Sequence, residues 1–232
     1  MKKIKDSNQE YHSHKSISAS GLKTIFKKSI YHHLNSSFKM TDAMNFGSAV
    51  HSAILEGGDD IAVMPDVNLM TNAGKKIKND FVDDNKGKII IKQKEKEAID
   101  KIKRNVSNHK LAKNLIKRLT ETEVSYYGKI DKIPVRIRPD GIKEKDYIID
   151  IKTTSDASPR FFKSQIYNYA YHLQACFYSE ALGYDPSKFR FISIENKYPY
   201  QVEVYGMSNE IIEYGKNAWR IAFESWKEYL EN

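Results

Sequence analysis

An α/β fold, with a mixed central sheet flanked by helices and a helical elaboration ahead of it, is what this 232-residue sequence predicts. Three observations lead there. Apolar residues recur at helical spacing between Ile99 and Leu119. Runs rich in β-branched and aromatic residues follow at 122–128, 134–139 and 146–153, and a second helical stretch then precedes two more strand-like runs. With 40% hydrophobic residues the chain can build one sizeable core, so a single domain over 1–232 is expected.

Residues 1–16 are polar and are expected to be loosely ordered. Residues 17–120 form a mainly helical part, opened by Ser18 or Ser20, either of which can cap a helix running to about Leu34. The free N–H groups at such a start make a natural seat for phosphate. A second helix, from about Ala43 to Glu56, stops at Gly57 and Gly58, and Gly47, one turn before His51, allows another element to approach its backbone. Residues 59–72 read as loop, and 73–120 as helical with a short strand near 87–91. There Ile99, Ile102, Val106, Leu111, Leu115, Ile116 and Leu119 make a core stripe opposite a lysine-rich face.

Residues 121–206 hold the sheet. The three strand-like runs make a meander whose turns, GKIDK and DGIKEKD, are rich in turn formers. A helix from about Arg160 to Leu182 follows, then strands near 189–195 and 200–206, and a final amphipathic helix within 207–232 opened by Ser208.

Composition removes several classes of function. No run of about 18 apolar residues exists and the N-terminus lacks an apolar segment after its lysines, so neither a membrane span nor a signal peptide is expected. The single cysteine, Cys176, reads as a small buried thiol; it permits no disulfide and no four-thiolate iron–sulfur cluster. No phosphate-loop motif is present, which excludes a built-in ATP motor. The net charge of +8 favours an anionic partner.

The chemistry concentrates in RIRPDG and YIIDIKTT. Side chains alternate along a strand, so Ile149 and Ile151 point to one face while Asp150 and Lys152 point to the other. With Asp140, two carboxylates and one ammonium converge on one strand pair. Two acids and one base leave surplus negative charge, which a divalent cation would neutralise. A metal-dependent phosphodiester hydrolase has this electrostatic outline.

Five segments, in order, extend the pattern: ISASGLKTI, FGSAVHSAILEG, RPDG, IIDIKTTSDASPRFF and YHLQACFYSEALG. In these the chain resembles the PD-(D/E)XK nuclease superfamily, and within it the RecE-like (exonuclease VIII) phage and prophage exonucleases. The resemblance implies a restriction-endonuclease-like core and a two-metal exonuclease acting on the ends of double-stranded DNA. It also implies digestion from 5′ to 3′, leaving 3′ single strands for an annealing protein in the cytoplasm of a phage's bacterial host. Carried over residue by residue, His51, Glu123, Asp140, Asp150 and Lys152 would form the active site. Asp140 would bridge the ions. Asp150 and the backbone carbonyl of Ile151 would complete one oxygen-rich site for Mg²⁺, with Mn²⁺ able to substitute, while His51 and Glu123 would serve the second ion. Lys152 would either deprotonate the attacking water or stabilise charge on phosphorus.

Gln174 and Tyr178 match a Q-x-x-x-Y element; four apart on a helix, they either reach the site and its DNA or pack helix to sheet. Ser20 is a candidate contact for the terminal phosphate. Seven arginines are present, none before Arg104, and Arg136 and Arg138 share strand parity with Asp140. They are expected to grip a DNA backbone or to pair across strands with Glu121 or Glu123. The family further implies a closed homo-oligomer, a tetramer before a trimer. Two other readings stand beside this one: a restriction-type or structure-specific endonuclease, for which no recognition module is visible, and a catalytically inactive DNA-binding module, against which intact Asp140, Asp150 and Lys152 argue.

Overall fold

The chain, described over residues 1–37 and 39–232 in a computed structural model, opens with strand β1 (Lys2–Ile4) and helix α1 (Asn8–Ser13). The segment expected to be loose is therefore built into the fold. Ser7 and Glu10 cap α1 reciprocally, and β1 pairs antiparallel with a strand far downstream in the sequence, Lys3 lying opposite Tyr126.

The helical part contains α2 (Ala19–Lys27), α3 (Ile30–Leu34) and α4 (Asp42–Leu55). Ser18, not Ser20, caps α2 by accepting from the Gly21 N–H. The single helix expected to reach Leu34 is broken at Lys28, because Ser29 caps a new start by accepting from His32 N–H. Thr41 caps α4 in the same way, and Gly57 and Gly58, both at left-handed φ, end it. Strand β2 (Ile61–Val63) lies inside the stretch read as loop and pairs in parallel with β3 (Ile89–Ile91), on either side of α5 (Asn72–Asp84). Helices α6 (Gln93–Asn108) and α7 (Lys110–Lys117) divide at His109. That break turns Leu111 outward, 51% exposed, while Ile99, Ile102 and Val106 are buried.

Two sheets replace the expected meander. β4 (Glu121–Thr122) comes first, then β5 (Ser125–Ile130) and β6 (Ile133–Ile137), which join β1 in a three-stranded antiparallel sheet. β7 (Gly141–Lys143), inside the segment read as a turn, and β8 (Tyr147–Thr154) belong instead to a five-stranded sheet. Helices α8 (Pro159–Asn168) and α9 (Tyr171–Leu182) replace one long helix, divided at Ala170 with φ 51°. β9 (Phe189–Glu195), β10 (Val202–Tyr205) and α10 (Asn209–Glu231), capped by Ser208, complete the chain.

The larger sheet runs in the order β10, β9, β8, β7, β4. β8 is parallel to β9, with Asp150 opposite Phe191, and antiparallel to β7, with Gly141 opposite Ile149. Its alternation builds two cores. Ile148 joins Phe189, Phe191 and residues of α9 and α10 on one face. Ile149 and Ile151, 0% and 1% exposed, join Ile192, Ile194 and residues of α4 and α6 on the other. Each buried isoleucine contributes about 2 kcal/mol, so a register slip of β8 would forfeit both cores at once. Among the described residues no helix is long and apolar enough to cross a membrane.

Candidate active site

Pro139 and Asp140 lie where the chain leaves β6 and its sheet and enters β7 of the other. The Asp140 side chain is held by β8: its Oδ2 accepts from the Ile151 N–H at 2.6 Å. Glu123 lies between β4 and β5 at φ 51°, and its N–H donates to the Asp140 carbonyl. Both acids are thus set by irregular backbone at the seam between the two sheets.

His51 reaches the seam from α4. Gly47 on that helix leaves room for Thr153 of β8, whose Oγ1 would lie 3.3 Å from a Cβ there. The His51 Nε2 lies 2.9 Å from the Ile151 carbonyl oxygen, a donor's position, which leaves Nδ1 as the acceptor in the neutral ring. Nδ1 is 3.4 Å from Asp140 Oδ2 and 3.6 Å from Glu123 Oε1. His51, Glu123 and Asp140 can each offer a ligand atom within 4.8 Å of the others. Burial, with Asp150 and Glu123 adding to it against His51, pushes the Asp140 carboxyl up to about 7. Burial lowers the His51 pKa, but Asp140 and Glu123 outweigh it and raise the ring to about 9. The two compete for one proton that a cation would displace. One imidazole nitrogen and two carboxylates suit a divalent metal, with the Ile151 carbonyl orienting the ligand histidine from behind.

Asp150 and Ile151, expected as ligands, have other partners. The Ile151 carbonyl is taken by His51. Asp150, 1% exposed, accepts from Gln174 Nε2 at 2.7 Å through Oδ1, and Oδ2 is paired with Lys152 Nζ at 2.5 Å. The reason is geometric: Asp150 and Lys152 share the β8 face that α9 covers, so the acid meets Gln174 of that helix. Burial disfavours the Lys152 charge, but Asp150 and Asp140 outweigh it and raise its pKa.

Gln174 therefore acts on Asp150. Tyr178 is buried at 6% exposure and joins the core. Ser20 lines the cleft on the His51 and Asp140 side. Arg136 and Arg138 depart furthest from expectation. Arg136 donates to the backbone carbonyls of His14 and Ser16, and Arg138 pairs with Asp6 at 2.5 Å and donates to Ser125 Oγ at 2.7 Å. Arg138 does line the cleft that holds His51, Glu123 and Asp140, but its guanidinium is occupied by Asp6, Asn8 and Ser125. Neither expected glutamate pairs with them either; Glu121 pairs with Lys3.

Two further residues belong to the site. Lys23 of α2 donates to Gln174 Oε1, and burial followed by repulsion from Lys152 lowers its pKa to about 7. The Tyr171 ring lies beside both lysines, 4.8 Å from Lys152 Nζ and 5.3 Å from Lys23 Nζ. The signals were present in the sequence: Lys23 sits within ISASGLKTI, and Tyr171 lies one helical turn before Gln174.

A family model described as a PDDEXK-like domain of unknown function (DUF3799) matches residues 18–232. No curated protein matches the chain. Among solved structures, a candidate exonuclease from Eubacterium rectale superposes with a TM-score of 0.62 at 14% identity, covering 94% of this chain and 84% of that one. A phage-related exonuclease from Haemophilus somnus 129PT gives a TM-score of 0.41 at 14% identity over 97% of this chain and 99% of that one. The Eubacterium rectale likeness is one of fold.

Proposed function

The chain belongs to the PDDEXK-like DUF3799 family, and from that premise we propose that it is a metal-dependent deoxyribonuclease hydrolysing phosphodiester bonds of linear double-stranded DNA. The observation that carries the reading is the meeting of His51, Glu123 and Asp140 beside the Asp150–Lys152 pair.

His51 Nδ1, Glu123 and Asp140 would hold the cation, Mg²⁺ with Mn²⁺ as substitute. When bound, such an ion lowers the pKa of an attacking water and neutralises charge on the phosphate and leaving oxygen. Asp150 and the Ile151 carbonyl would serve a second ion only by exchanging Lys152 and His51 for it. Lys152, already an ion-pair donor to Asp150, is better suited to stabilise negative charge on phosphate oxygens than to deprotonate water. Gln174 keeps Asp150 oriented for that pairing.

The finer reading rests on the RecE-like sequence resemblance. Digestion runs 5′ to 3′, the product is a 3′ single strand handed to an annealing protein, and the protein works as a closed homo-oligomer around the duplex, a tetramer before a trimer. Incubation of 5′-labelled, 3′-labelled and closed circular duplexes with Mg²⁺ tests the activity and its polarity. Loss of the 5′ label first supports the reading; cutting of the circle would make the protein an endonuclease, and inertness toward all three would overturn the nuclease assignment. Light scattering on the purified protein tests the oligomer, which a monomer would refute.

A further inference from the structure

Helix α8 ends at Asn168 with Tyr169 as its cap, α9 starts at Tyr171, and Ala170 between the two tyrosines has φ 51° and ψ 44°. Residues other than glycine seldom adopt that left-handed conformation. Side chains two apart on a continuous helix point to different sides, whereas this break brings the rings of Tyr169 and Tyr171 into a stack, 5.5 Å apart and 27° from parallel. The inner ring is the one beside Lys152 and Lys23. The outer ring is 56% exposed and lines the same cavity, of about 760 Å³, as Lys152, His51 and Tyr171. An exposed aromatic ring, backed by a second ring that lies beside two lysines, has the makings of a seat for a nucleobase whose phosphates lie toward Lys152.

We propose that the exposed face of Tyr169 is a base-stacking platform for the DNA strand lying in the cleft beside Lys152. The proposal rests on the nuclease reading and adds to it the means by which a strand is held without regard to sequence. Every base has a π face, so stacking tolerates any sequence, as digestion of DNA without regard to sequence requires. The stacked Tyr171 ring and the bend at Ala170 together fix the platform's tilt.

The test uses the full chain and a short duplex carrying 2-aminopurine at successive positions from one 5′ end, with Ca²⁺ replacing Mg²⁺ to hold back turnover. Wild type should quench the probe saturably at one of these positions. Tyr169→Phe should match it within about twofold, and Tyr169→Ala should lose the quench and bind about tenfold more weakly. A Tyr169→Ala protein that quenches like wild type, or a wild type that quenches at no position, would overturn the platform. Hydrolysis of an unlabelled linear duplex in Mg²⁺, run in parallel, separates the two ideas. Cleavage without quench refutes the platform alone, and quench without cleavage refutes the nuclease reading alone.

Discussion

Arg138 and Asp140 are two residues apart, yet the two sheets use them in opposite ways. On and just beyond the three-stranded sheet the charges are matched: Arg138 with Asp6, their side chains 8% and 10% exposed, and Arg136 with the carbonyls of the N-terminal segment. At the seam with the five-stranded sheet they are not matched. Glu123, Asp140 and Asp150 gather around one histidine and Lys152, with the pKa of the nearby Lys23 lowered by burial to about 7, and burial holds a carboxyl up to about 7. A buried charge with a partner serves the fold, while a buried surplus marks a place built for something the chain itself does not supply.

The strongest challenge to this contrast is Asp140→Asn, which keeps an acceptor for the Ile151 N–H but removes the charge. The rate of DNA hydrolysis should fall by about a thousandfold, some 4 kcal/mol of transition-state stabilisation, with the unfolding midpoint unchanged or raised. Substantial residual activity would remove Asp140 from the site.

Arg138→Ala should behave in the opposite way, costing about 3 kcal/mol in chemical denaturation because Asp6 is left buried without its partner. The salt dependence of DNA binding should not change. A slope reduced by about one would mean that Arg138 touches a phosphate after all.

The α9 face turned away from the acids offers a third test. His172 is 1% exposed among the rings of Phe26, Tyr167 and Tyr214, and burial followed by repulsion from Lys23 lowers its pKa from 6.5 to about 4. The native ring resists protonation while the unfolded one accepts it. Stability from this group is complete above pH 6.5 and falls as the pH drops toward 4, by on the order of 2 kcal/mol. Urea midpoints of His172→Phe should decline less steeply than wild type over that range; identical slopes would show that the ring finds an acceptor when charged.

The smallest effect expected is that of Gln174→Ala. Asp150 keeps Lys152 but loses its second anchor, so kcat should fall about tenfold and KM for DNA should hold. A change confined to KM would instead make Gln174 a contact to DNA.

Much of this was legible in local sequence. The faces of β8 follow from alternation, and the caps at Ser18 and Ser208 and the stop at Gly57 follow from residue chemistry at helix ends. The step from β6 to β7 was not, since alternation runs on through Arg136, Arg138 and Asp140 while the hydrogen-bonding partners change. Nor could the arginines' partners be read, because Asp6 lies 132 residues from Arg138. The left-handed turn at Ala170 was hidden because alanine is the best helix former. The motifs pointed to His51, Asp140 and Lys152 as candidates, whereas the tautomer of His51 and the partners of Asp150 depend on tertiary contacts that no motif spells out.

The link between His51 and the Ile151 carbonyl spans 100 residues, and that between Lys23 and Gln174 spans 151. Contacts so distant in sequence form late, after the intervening loops have been closed. During synthesis the imidazole, the seam acids and the strand that orients them emerge at different times, and α9 emerges after them all. A product truncated after β8 therefore carries every ligand but lacks Gln174, the residue of α9 that holds Asp150. On the proposed function, cutting power would then arrive only once α9 has packed, which would spare the nucleic acid around the ribosome.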